Sequence, residues 1–163
     1  MTVNALLSPE RKPVFIAVLL AIVTGGIGGL ATEIGPWYFA LAKPSWQPPD
    51  WLFGPVWTTI YILTGIAGVR AWRRADAVQR RHLLGALLLN VVLNILWSAI
   101  FFTAKRPDIA LIEVVPLWLS ILLLMLLVRR YSPLSSALLL PYLAWVAFAA
   151  WLNLTIVRLN APF

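Results

Sequence analysis

The sequence predicts an all-α integral membrane protein, a bundle of five transmembrane helices whose external first loop acts as a lid. Three observations predict it. The 163 residues are 61% hydrophobic with a mean hydropathy of +0.87, more apolar surface than a soluble domain of this size uses. Four breaks divide the apolar sequence into five stretches of about 20 residues, the length that crosses a bilayer core as helix. The 13 Lys and Arg side chains flank those stretches, as membrane spans require.

The first span, Val14–Ala31, follows Arg11 and Lys12. It is longer than a signal-peptide core and lacks a small-x-small cleavage site, so it is read as retained. Gly25 and Gly29 permit close helix contact within it. The connection Thr32–Asp50 is rich in Pro and Trp, which favours a folded lid over a loose linker. The second span, Trp51–Trp72, carries Trp57 and Tyr61. The third, Leu83–Thr103, carries Asn90, Asn94 and Trp97 at i, i+4 and i+7, on one helical face. The fourth, Ile109–Val128, carries Glu113 and Pro116. The fifth, Leu134–Val157, carries Pro141, Trp145 and Ala149. Both prolines should kink their helices by removing a backbone hydrogen bond. Residues 1–163 are read as one domain.

Five spans put the termini on opposite sides. Nine basic residues, at positions 11, 12, 70, 73, 74, 80, 81, 129 and 130, fall on one side, against Lys43, Lys105, Arg106 and Arg158 on the other. The richer side is cytoplasmic by the positive-inside rule, which puts the N-terminus inside and the first loop outside. The same rule accounts for the net charge of +7 without nucleic acid.

Counting inward from the external ends, Trp57, Tyr61, Asn94, Trp97, Glu113 and Asn153 are shallow, with Asn90 deeper and Trp145 near mid-membrane. Groups from four spans therefore meet in the external half. Carboxamides in hydrocarbon need partners, so Asn90 and Asn94 either tie helices together or meet a ligand. Trp37, Trp46, Trp51 and Trp72 suit an interfacial belt. Trp57, Trp97, Trp118 and Trp145 are deeper than a belt requires. Glu113 reads as a structural carboxyl and His82 as an interfacial residue. With no cysteine, one histidine and six acids, disulfides and most metal sites are excluded. No catalytic triad, phosphate loop or zinc-protease motif is present.

WYFALAKPSWQPPDWLFGPVWTTIY at 37–61, LNVVLNILWSAIFF at 89–102 and PYLAWVAFAAWLNLTIVRLN at 141–160 resemble the TspO family, also called translocator protein or peripheral-type benzodiazepine receptor. The likeness covers nearly all the chain. It implies a five-helix bundle whose first loop closes a pocket for porphyrins such as protoporphyrin IX, haem-like tetrapyrroles or drug-like apolar ligands. By position, Trp57 and Asn94 match residues that hydrogen-bond a ligand, and Tyr38, Trp46 and Pro48 match the lid. Trp97, Trp145 and Ala149 match the pocket wall; depth and spacing add Tyr61 and Asn90 to the expected ligand contacts. Some bacterial relatives degrade porphyrin in light, which would make Trp57 and Trp145 the catalytic pair. The expected assembly is a homodimer in a bacterial inner membrane, with membrane lipid around it and no cofactor or metal. The animal cholesterol motif needs an aromatic residue where this chain has Leu154, so sterol binding there is not expected.

Overall fold

A computed structural model describes Ser8 and residues 10–163. Its elements are α1 (Lys12–Ala31), α2 (Pro36–Ala40), α3 (Asp50–Arg74), α4 (Ala77–Ser98), a π-helical turn (Ala99–Thr103), α5 (Pro107–Arg129), α6 (Pro133–Ala137) and α7 (Leu140–Asn160). No strand occurs among the described residues. Five segments are long and apolar enough to cross a membrane, the fifth combining α6 and α7.

The five expected spans are all present, with longer ends. The third begins at Ala77 because Asp76 caps it. The Asp76 carboxylate accepts from the Val78 and Gln79 N–H groups, and the Gln79 side chain accepts from the Asp76 N–H. This reciprocal box satisfies donors that a helix start otherwise leaves open. Pro116 lies inside α5 as expected. Pro141 does not lie inside the helix it was expected to kink. It sits in the first turn of α7, where its missing N–H costs nothing, and the chain turns at Leu138–Leu139 between α6 and α7.

Helix α5 is the core of the bundle. Ala110, Val114, Leu117, Ile121, Leu124 and Val128 are buried on it at the 3–4 spacing of one face. It packs on α4 and α7, while α1 packs on α3 and α4. Three apolar layers follow. Ala67, Ala71, Leu83, Leu124, Val128 and Leu139 pack at the end where Arg70–Arg81 lie; Ile60, Val114, Leu117, Ile121, Tyr142 and Val146 fill the middle; Tyr38, Phe101, Ala110, Leu152 and Ile156 fill the loop end. Outward-facing Leu30, Ile112 and Trp51 are 89%, 73% and 72% exposed. Such a surface would drive aggregation in water, and it suits a helix facing lipid.

The segment between α1 and α3 is tied down at both ends. The Tyr38 hydroxyl donates to Asp50 Oδ1 at 2.8 Å, and Gln47 Nε2 donates to the Tyr38 oxygen at 3.2 Å. The Ala42 N–H donates to Asn160 Oδ1 at 2.8 Å, and Asn160 Nδ2 donates back to the Ala42 carbonyl at 2.9 Å. Lys43 Nζ lies 3.5 Å from the centre of the Tyr38 ring. Burial, reinforced by the Asp50 carboxylate, pushes the Tyr38 phenol far above its ordinary value, so the hydroxyl stays a donor.

Candidate functional site

A cavity of about 1290 Å³ opens between α1, α3, α4 and α7, under Tyr38. It exceeds the volume usual for a drug-sized ligand site because it continues along the α1–α3 seam. Its wall carries Phe53, Trp57 and Tyr61 from α3, Asn94 and Trp97 from α4, Phe102 from the π-helical turn, and Trp145 and Ala149 from α7.

The rings brace one another. Trp57 stacks on Tyr61 with centroids 5.5 Å apart and meets Tyr142 edge-on at 5.9 Å. Trp97 stacks on Phe101 at 5.1 Å, and Phe53 meets Trp145 edge-on at 5.6 Å. Preformed aromatic walls lose little entropy when a flat ligand enters. The indole N–H groups of Trp97 and Trp145 are enclosed without a partner among the described residues.

Behind this wall runs a buried polar ladder across four helices. Tyr61 OH donates to Asn94 Oδ1 at 3.5 Å, a long contact, and Asn94 Nδ2 donates to the Tyr142 oxygen at 3.0 Å. Tyr142 OH donates to Asn90 Oδ1 at 3.1 Å, Asn90 Nδ2 to Ser120 Oγ at 2.8 Å, and Ser120 OH to the Leu117 carbonyl at 2.7 Å. With its amide turned to the orientation that satisfies both ends, Asn153 bridges α7 to α5, its Nδ2 donating to the Pro107 carbonyl and its Oδ1 accepting from the Leu111 N–H. The Glu113 carboxyl is enclosed without a hydrogen-bond partner among the described residues.

Of the ten residues expected to contact a ligand, Tyr38, Trp57, Tyr61, Asn94, Trp97, Trp145 and Ala149 line this one cavity. Trp46 does not; it packs edge-on against Phe148 at 5.9 Å. Pro48 is half-buried in the loop and is not part of the wall. Asn90 lies behind the wall, beside a separate small cavity of about 60 Å³, with both ends of its amide engaged. Phe53 meets Trp145, and α7 runs on for 15 residues to Asn160, about 22 Å at the helical rise; the 32–49 segment lies beside that stretch, through Trp46 on Phe148 and Ala42 on Asn160.

Phe53, Ser98 and Phe102 were not expected in the wall. Phe53 precedes Trp57 by one turn, a signal present in the sequence. Phe102 owes its place to the π-helical turn, in which the Ala104 N–H reaches the Ala99 carbonyl at 2.8 Å. One extra residue in a turn rotates the side chains that follow, so Phe101 and Phe102 meet at 4.7 Å and Phe102 also reaches Tyr38 at 5.7 Å. Lys105, with φ 54°, turns the chain out of it.

The TspO/MBR family model matches residues 15–159. The chain belongs to the TspO/MBR family. It is 40% identical over 153 residues to "Tryptophan-rich protein TspO" of Chlorobaculum tepidum, covering 89% of this chain and 94% of that one. It is 35% identical over 147 residues to "Protein CrtK" of Rhodobacter capsulatus, covering 90% and 92%. It is also 36% identical over 126 residues to the human "Translocator protein", covering 76% and 75%. Family membership and the five apolar helices make this an integral membrane protein. Of the tryptophans that give several TspO/MBR relatives their names, Trp57, Trp97 and Trp145 here line the cavity, Trp37 and Trp118 pack against the core, and Trp51 and Trp151 face outward.

Proposed function

We propose that the protein binds a flat, largely apolar tetrapyrrole, protoporphyrin IX or a haem-like relative, between α1, α3, α4 and α7, as a sensor, scavenger or transporter. The observation that carries this reading is the cavity of about 1290 Å³ walled by Trp57, Trp97, Trp145 and Tyr61 with one carboxamide, Asn94, in the wall. Indole faces stack on a macrocycle, while Asn94 and the Trp57 N–H orient its polar substituents. Titration with protoporphyrin IX in the dark and under illumination tests it. Saturable binding with the porphyrin recovered intact supports the reading. A bilin-like product formed only in light would make the protein a photo-oxidative enzyme with Trp57 and Trp145 as the reacting pair. No saturable binding would leave a structural or regulatory subunit.

In this reading the 32–49 segment is the lid. Its ties to Asp50 and Asn160 and the position of Tyr38 over the cavity support that role. Backbone amides of the segment should exchange more slowly with protoporphyrin bound than without it, measured by hydrogen–deuterium exchange. Equal exchange in both states would make it a plain connection.

The reading also takes the N-terminus and the Arg70–Arg81 turn as cytoplasmic and the protein as a homodimer. The nine-to-four division of basic residues supports the orientation. A cytoplasm-only reporter fused to the N-terminus should be active, and one that works only outside the cytoplasm should be silent there; the reverse pattern overturns the orientation.

A further inference from the structure

The cavity continues from the aromatic chamber down the α1–α3 seam and ends at two arginines, Arg70 and Arg73. From Tyr61 to Arg70 is nine residues of helix, about 14 Å. Ile62, Ile66, Val69, Arg70 and Arg73 recur at 3–4 spacing, so the apolar strip and both guanidinium groups share one face of α3. Across the seam, α1 is narrow: a Cβ added at Gly65 would lie 3.6 Å from the Ala17 side chain, and one at Gly25 would lie 3.3 Å from the Tyr61 ring. Small residues bring the backbones together while leaving a crevice that stays open to the lipid side, where Val18 and Ile22 are exposed.

Arg70, half-buried, and Arg73, exposed, have no anionic partner among the described residues. The one ion pair among the described residues joins Arg106 to Asp108. Asp76, the acid nearest in sequence, has its carboxylate taken up in capping α4. Arg70 Nε is enclosed and makes no hydrogen bond among the described residues. Its neighbours do: Arg74 donates to the Tyr131 carbonyl at 3.0 Å and Arg80 to the Trp72 carbonyl at 3.1 Å. Snorkelling alone would carry a guanidinium out to water. An enclosed donor without a partner is costly, and a guanidinium fork matches a carboxylate or phosphate with two parallel hydrogen bonds.

We infer that the basic end of the α1–α3 crevice is a binding site for the anionic head of an amphiphile, a carboxylate or phosphate held by Arg70 and Arg73, with its apolar tail lying along Ile62 and Ile66. The site stands whether or not the aromatic chamber takes a tetrapyrrole. The head can come from a free fatty acid or from an anionic phospholipid.

The test uses the full chain in phosphatidylcholine vesicles at a pH where the fatty acid is ionised. Energy transfer from tryptophan to cis-parinaric acid reports binding, with the parinaric methyl ester and a parinaroyl phosphatidylglycerol as parallel probes. The acid should bind saturably and the ester about tenfold more weakly, with the double variant Arg70→Gln/Arg73→Gln reducing acid binding to the ester's level. Arg70→Lys/Arg73→Lys, which keeps charge but loses the fork, should fall between. Acid binding alone assigns a free carboxylate; phosphatidylglycerol binding lost in the Gln variant assigns a lipid headgroup. Equal binding of acid, ester and phosphatidylglycerol, or unchanged binding in a Gln variant whose melting transition is intact, overturns the site. If the Gln variant does not fold, the wild-type contrast of the charged probes with the ester decides.

Discussion

Asn90→Leu is expected to destabilise the bundle by about 1–2 kcal/mol while leaving protoporphyrin affinity within about threefold of wild type. Asn90 Oδ1 accepts a hydrogen bond from the Tyr142 hydroxyl at 3.1 Å and its Nδ2 donates to Ser120 Oγ at 2.8 Å, and the residue is 5% exposed. Leucine fills the space but leaves the Tyr142 hydroxyl without its acceptor among apolar side chains. Ser120 keeps its bond to the Leu117 carbonyl at 2.7 Å, so one orphaned group, not two, sets the cost. Hydrogen bonds between membrane helices average about 0.6 kcal/mol when both partners are removed; orphaning one partner costs more. A melting curve in detergent, followed by titration of the surviving fold, separates the outcomes. An unchanged melting transition with binding weakened tenfold would return Asn90 to the ligand site.

That separation of Asn90 from Asn94 shows where sequence reasoning stops. Spacing puts the two on one helical face, and both are buried. Which of them faces a cavity depends on how α4 is rotated against α5 and α7, and on Tyr142 and Ser120 standing opposite. Those partners lie 30 to 52 residues away in sequence. A hydroxyl in an apolar span signals that it needs a partner, but not which one. The spans themselves were legible because about 20 apolar residues in a row have few other uses. Ala77–His82, the polar first turns of α4, escaped hydropathy and are helical through the Asp76 cap. The π-helical turn escaped for a different reason. AIFFT has no proline or glycine to mark a change of helical pitch, and its geometry answers to the packing of Phe101 and Phe102 under the loop.

Trp57→Phe and Asn94→Leu should each weaken protoporphyrin binding about five- to 150-fold, the equivalent of a lost hydrogen bond of about 1–3 kcal/mol. They lie on different helices and face the same cavity. Trp57 makes no hydrogen bond through its indole among the described residues, so its N–H is free for a ligand, and phenylalanine keeps the ring face against Tyr61 and Tyr142 while removing that donor. Asn94 is different. Its Nδ2 already donates to Tyr142 at 3.0 Å, while its Oδ1 receives only the 3.5 Å contact from Tyr61. The carbonyl oxygen and the second amide hydrogen are the groups left for a ligand. Leucine therefore removes a ligand contact and a rung of the ladder together, and its melting transition should fall by the amount of that rung. Trp57→Phe touches no rung and should melt as wild type. Tyr142→Phe separates the two roles of Asn94, because it deletes that rung, together with the one to Asn90, and keeps the Asn94 carboxamide. If Tyr142→Phe lowers the melting transition but binds protoporphyrin within threefold of wild type, the loss in Asn94→Leu belongs to the ligand. If Trp57→Phe and Asn94→Leu both bind as tightly as wild type, the tetrapyrrole site is not in this cavity.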